Sequence, residues 1–387
     1  MMKKQTGFFI LVAILIGIGI GILIWNFLSP SKGQGVFYFQ VKDNQAELFL
    51  LKAKDSAKKI ASIPAREVDL GVYRVPRHSY FSQDKEQMIY FKKTGETPLE
   101  ELSPDETTVV VRILSEPRLV NLKTKEEKKI DQLIDPASLV FSPNNKQIAW
   151  VKEVEESTHQ ELDKTGKERE VWLSRVDGRD AQLLSSFDEN VVLLERWSGN
   201  YIYFQGIQGA NARSLGRINA KTGEIEYIVP RYCNKSLNNC QNIEFSPSGR
   251  YFIYETYKKI EDREITELYL GDFKKREFFE VLTTDQISDR LWLNNEESFF
   301  YTEQEVLKKE GTRETIHLVN LRKETDDAIY TGSYISQLTT DSGNKYLYFL
   351  EKIEQANDVK LMRLNIKTRE TEEILIDDYN RILLIQL

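Results

Sequence analysis

Two stretches decide the fold: Leu139-Val-Phe-Ser-Pro-Asn-Asn-Lys-Gln-Ile-Ala-Trp150 and Ile243-Glu-Phe-Ser-Pro-Ser-Gly-Arg-Tyr-Phe-Ile-Tyr254. Each reads as strand, tight turn, strand. Proline presets φ at the turn, asparagine or glycine accepts the left-handed position, and β-branched or aromatic runs on both sides supply the hairpin arms. Looser copies stand at Tyr80 to Tyr90, Leu194 to Tyr203, Leu291 to Tyr301 and Gln337 to Tyr348, which makes six. Their spacing of about 45 to 60 residues is that of propeller blades.

A second hairpin, with an apolar strand, a charged turn and another strand, accompanies each unit. It is clearest in Leu119-Val-Asn-Leu-Lys-Thr-Lys125, Leu215-Gly-Arg-Ile-Asn-Ala-Lys-Thr-Gly223 and Leu361-Met-Arg-Leu-Asn-Ile-Lys-Thr-Arg369. It returns near Leu173, Leu268 and Ile316, and first at Leu48, giving seven copies. Four strands per unit, stacked around an axis, bury both faces of short sheets. The expected fold class is all-β, a seven-bladed β-propeller of four-stranded antiparallel blades over residues 36 to 387.

The mismatch of six against seven is informative. The first unit opens at Val36-Phe-Tyr-Phe-Gln-Val41, a second strand with no first strand before it. The final residues, Asp378 to Leu387, resemble the inner strand of the sixth unit, Ser288 to Leu293. The C-terminal strand is therefore expected to pair with Val36 to Val41 and close the ring, which removes the open edges.

The Phe-Ser-Pro-Asn-Asn-Lys and Phe-Ser-Pro-Ser-Gly-Arg turns, followed by Ile-Ala-Trp and Phe-Ile-Tyr, resemble the repeat of TolB-like propellers. The same WD-repeat-like blade precedes the hydrolase domain of prolyl-oligopeptidase-type enzymes. The resemblance spans about residues 36 to 387 and implies a propeller used as a binding platform. The chain departs from the enzymes in ending with the propeller.

Ahead of the body, Gly7 to Leu28 carry no charge and are mostly Ile, Leu, Phe, Val and Gly, long enough to cross a bilayer. The sequence therefore reads as a cytoplasmic tail over 1–6, a retained transmembrane signal-anchor helix over 7–28 and a linker over 29–35. Lys3 and Lys4 precede the span and only Lys32 follows closely, so the positive-inside rule places the N-terminus in the cytoplasm and the propeller outside it. Cys233 and Cys240 sit in a polar loop, where a disulfide suits an extracytoplasmic body. Two Cys and three scattered His do not make a zinc set, and neither metal nor cofactor is expected.

A net charge of −7 without a basic cluster argues against nucleic acid. No GxSxG, HExxH, P-loop or calcium-loop pattern occurs in the body, so no catalytic residue is assigned. In a propeller blade the first-to-second and third-to-fourth turns share one face, and the other two connections share the opposite one. The insertions fall in the second class: Pro64 to Ser79, Lys92 to Thr107, Lys152 to Glu170, Arg231 to Gln241, Tyr257 to Ile265 and Glu303 to Thr315. That elaborated face is the expected working face. On it Tyr73, Arg74, Arg77, His78, Arg231 and Tyr232 are the candidate partner-binding residues, since Arg and Tyr are favoured at binding hot spots. The expected function is a tethered binding or scaffold module for an envelope protein, peptide or glycan. The alternative is a hydrolase or lyase with a site in the central funnel.

Overall fold

The computed structural model describes residues 36–42, 45–51, 57–64, 81–102, 109–152, 169–189, 191–208, 212–229, 241–260, 263–307, 311–353, 358–378 and 382–385. They form seven antiparallel sheets, six of four strands and one of three. We number these sheets as blades 1 to 7. Blade 1 joins Ile382–Ile385 to Val36–Lys42, Gln45–Leu51 and Lys58–Pro64. Blade 2 holds Gln87–Leu102, Val109–Asn121 and Glu127–Lys129, and a bridge from Phe81 to Met88 stands at its inner edge. In blades 3 to 7 four consecutive strands lie side by side in chain order. Their inner strands are Ile134–Phe141, Val191–Ser198, Gln241–Phe245, Ile287–Trp292 and Ile335–Thr340.

Closure takes the expected form. The C-terminal strand runs antiparallel to the first, with Phe37 opposite Ile385, Tyr38 opposite Leu384, Phe39 opposite Leu383 and Gln40 opposite Ile382. Two side-chain bonds link this composite blade to blade 7: the Leu384 N–H donates to Gln337 Oε1 at 2.7 Å, and Gln40 Nε2 donates to Asp377 at 2.5 Å.

The hydrophobic core is divided into seven parts, one between each pair of adjacent blades. Phe252 and Tyr254 face blade 4, whereas Ile253 between them faces blade 6. Likewise Leu347 and Phe349 pack toward blade 6, and Tyr348 and Leu350 toward blade 1. Alternate side chains thus enter different seams, which explains why the second strands read as continuous apolar runs instead of alternating ones. The seam between blades 7 and 1 is built from Val36, Tyr38, Leu51 and Leu384 against Tyr348, Leu350, Val359 and Leu361. Both described ends of the chain are therefore part of the core.

The charged second-hairpin turns have a common mechanism. Asn121, Asn219, Asp272 and Asn365 each accept, through the side-chain oxygen, the N–H groups two and three residues on. This Asx geometry lets the chain reverse at the end of the third strand. The residue that completes the turn has positive φ: Lys125, Gly223, Arg276 and Arg369. In blades 2 to 7 a backbone bond joins this turn to the first one: Leu122 N–H to Glu86 O, Val176 to Lys146, Ala220 to Asn200, Phe273 to Arg250, Leu321 to Glu297 and Ile366 to Lys345. Both turn classes consequently lie on one plain face.

The opposite face is elaborated by strand. Gln87–Leu102 and Val109–Asn121 remain paired out to Leu102 opposite Val109. Tyr251–Ile260 and Arg263–Asp272 pair to Ile260 opposite Arg263, and Ser298–Leu307 and Gly311–Asn320 to Leu307 opposite Gly311. The insertions at Lys92 to Thr107, Tyr257 to Ile265 and Glu303 to Thr315, read from the sequence as loops, are mainly continuations of the blade hairpins. Ladder hydrogen bonds satisfy the backbone there, so charged side chains do not prevent strand formation.

Candidate functional site

The inner strands surround the axis; Ile382–Ile385 of blade 1 pairs without a shift, whereas those of blades 3 to 7 are irregular. Their pairing with the second strand shifts register between Ile134 and Leu139, Leu194 and Arg196, Gln241 and Glu244, Ile287 and Asp289, and Ser336 and Thr339. A bulge increases twist and re-aims the side chains beside it. At these bulges polar side chains reach the next blade. Ser138 accepts the Leu194 N–H at 2.9 Å and donates to Val192 O at 2.9 Å. Asp289 accepts the Leu338 N–H at 2.8 Å, and Gln337 accepts that of Leu384. Glu244 accepts the Trp292 N–H at 3.3 Å, while the Trp292 indole donates to the Glu244 carbonyl at 3.2 Å.

A buried ion pair lies between blades 5 and 6. Glu255, fully buried, forms an ion pair with Arg290 of the neighbouring inner strand. Its other oxygen accepts from Asn242 Nδ2 at 2.7 Å and Tyr257 Oη at 2.8 Å. Asn242 is held at φ 53°, a left-handed conformation that asparagine tolerates. A second guanidinium, Arg196 in blade 4, donates to Pro247 O at 2.8 Å. Desolvation pushes its pKa down, opposed by the charges of Glu244, Glu296 and Glu195. Arg196, Glu244, Asp289 and Arg290 of the inner strands thus hold one blade to the next, whereas Glu195 accepts from Gln205 of its own blade.

At the elaborated face, Tyr334 is 44 % exposed in the crossover from blade 6 to blade 7, at φ 48°. The Lys352 ammonium stands 5.7 Å from its ring centre, and the Lys352 N–H donates to its carbonyl at 3.1 Å. Leu133 is an exposed apolar side chain in the crossover from blade 2 to blade 3, and Lys258 and Lys259 line the exposed end of the blade 5 hairpin.

The sequence candidates Tyr73, Arg74, Arg77, His78, Arg231 and Tyr232 lie outside the described residues, as do Cys233 and Cys240 and the apolar span Gly7 to Leu28. Sequence reasoning missed Glu255 and Arg290. A signal existed: at the register of Glu255 the other six second strands carry Phe39, Phe91, Val151, Gln205, Thr302 and Leu350. One carboxylate in that series demands a buried partner. Among the described residues no group of three His, Cys, Asp or Glu side chains is arranged to hold a metal ion.

No protein-family model matches the sequence, and no curated protein matches it. Solved structures match the fold. An oligogalacturonate lyase in complex with manganese is 11 % identical, with 83 % of this chain and 84 % of that one covered and a TM-score of 0.56. A prolyl endopeptidase structure is 8 % identical with a TM-score of 0.56; the match covers 92 % of this chain and 51 % of that one, so this chain spans about half its length. TolB from Acinetobacter baumannii is 14 % identical, with 74 % and 68 % covered and a TM-score of 0.40.

Proposed function

We propose that this protein is a membrane-tethered, extracytoplasmic propeller whose elaborated face binds an envelope protein, peptide or glycan. The observation that carries this reading is the asymmetry of the disc. Tight, mutually bonded turns make up one face, and hairpin extensions and crossovers with Tyr334, Leu133, Lys258 and Lys259 make up the other. Function tends to concentrate on such elaborations of a rigid scaffold. Val36 and Ile385 lie together at the plain-face end of blade 1, so a tether through 7–28 would leave the elaborated face pointing away from the bilayer. Use of the inner-strand charges to hold adjacent blades supports binding over catalysis in the funnel.

Photo-crosslinking in intact membranes tests the proposal, with probes at Tyr334 and Lys259 and plain-face controls at Lys125 and Lys221. The expected result is a discrete adduct from the elaborated face alone. Equal adducts from both faces, or adducts confined to the controls, would overturn it.

A further inference from the structure

The third strand of blade 6, Gly311–Asn320, carries two titratable side chains that serve opposite seams. Glu314, 1 % exposed, accepts the backbone N–H of Ile335, where blade 7 begins. Near it Asp289, 3 % exposed, accepts the N–H of Leu338. Two buried carboxylates of blade 6 therefore grip the inner strand of blade 7. Across the sheet Glu314 faces Gln304 and Gly332, and Glu351 of blade 7 takes the Ser333 N–H and the Tyr330 hydroxyl close by.

His317 is on the blade 5 side. Its ring stacks on Tyr301 at 4.7 Å, with Nδ1 3.1 Å from Asp326 and Nε2 3.4 Å from Glu303. Tyr301 Oη donates to Asp326 at 2.7 Å, and Thr284 of blade 5 donates to Glu303. The imidazole is thus hydrogen-bonded to Asp326 and, by an ion-pair contact, set against Glu303, the carboxylate that takes the Thr284 hydroxyl of the neighbouring blade.

We propose that blade 6 is a proton-tightened wedge, whose seams with blades 5 and 7 hold firmly in mildly acidic solution and loosen as the solution becomes alkaline. In acid, a neutral Glu314 still bonds Ile335 without repelling Asp289, and a charged His317 lies between two carboxylates. In alkali, Glu314 becomes a buried charge beside Asp289, and His317 loses its attraction to Asp326 and Glu303. Burial, aided by the Asp289 charge and opposed by the Ile335 N–H, raises the Glu314 pKa from 4.5 to about 7. For His317, burial works against the charged form, but Asp326 and Glu303 prevail and raise the pKa above 6.5. Both groups contribute stability in acid that is lost with rising pH: Glu314 between 4.5 and about 7, and His317 upward from 6.5.

The test is hydrogen exchange on the full chain, corrected for the intrinsic pH dependence, with the Leu194 amide as an internal control because its acceptor is the uncharged Ser138 hydroxyl in a seam remote from blade 6. Between about pH 5.5 and 8, protection of the Ile335 and Leu338 amides should fall roughly twentyfold relative to Leu194. Glu314→Gln should flatten the trend, and His317→Asn should leave it at Ile335. Parallel protection of all three amides in the wild type would overturn the proposal, and that comparison decides the matter even if Glu314→Gln does not fold.

Discussion

Glu255 and Arg290 show how one charged pair is accommodated in an apolar layer. Two charges withdrawn from water are tolerated when they face each other and the remaining lone pairs are bonded, as Asn242 and Tyr257 do for Glu255. Removing one partner leaves the other buried and uncompensated. Arg290→Ala should therefore cost about 3 kcal/mol or more in urea unfolding, whereas Glu255→Leu with Arg290→Met should recover most of that loss. A backbone counterpart is Gly249, at φ 75°, where an added Cβ would stand 2.2 Å from the Tyr203 ring. Gly249→Ala should cost about 2 kcal/mol or more, because the ring is packed and the left-handed conformation disfavours a side chain. At the corresponding position of the other hairpin, Arg369 holds φ 65° with a side chain, and Arg369→Gly should change stability by less than about 1 kcal/mol, in the stabilising direction. Thermal unfolding of the two variants checks both statements.

At the scale of elements, the strand most exposed to test is the short C-terminal one. Its four residues, Ile382–Ile385, complete blade 1 and contribute Leu384 to the last seam. Deleting 382–387 should open the ring and lower the unfolding midpoint in a single cooperative step; melting close to that of the full chain would show that closure contributes little. Gln337→Ala, which removes only the acceptor for the Leu384 N–H, should cost about 1 kcal/mol in urea unfolding. Much of this was legible in the sequence, because turn residues act locally. Asn121-Leu-Lys-Thr, Asn219-Ala-Lys-Thr and Asn365-Ile-Lys-Thr announce the same Asx turn wherever they occur. The lengths of the paired hairpins were not legible. Lys92 to Thr107 looks like a loop by composition, and whether such residues pair depends on the strand opposite.

For the whole molecule, the ring couples seams of different chemistry, and its pH response is their sum. Burial tends to raise the pKa of Asp326, but bonds from His317 and Tyr301 prevail and lower it. Its contribution is lost as pH falls through its folded pKa, below 3.8, opposite in sign to that of Glu314. Denaturation titrations should therefore give greatest stability in mildly acidic solution, with decline on both sides. The proposed compartment has its own test: thiol labelling of the body exported to an oxidising compartment should detect Cys233 and Cys240 only after reduction, and labelling without reduction would contradict both the pairing and the location. By itself the sequence determined the strand order, the seven blades, the plain turns and the strand that closes the ring, since each rests on local turn chemistry or on counting a repeat. Tertiary structure alone decided which side chains meet across the seams. Glu255 with Arg290, Asp289 with Leu338 and Glu314 with Ile335 are separated in sequence by 35, 49 and 21 residues, and they come together because stacking the blades sets the first three strands of one blade against the inner strand of the next.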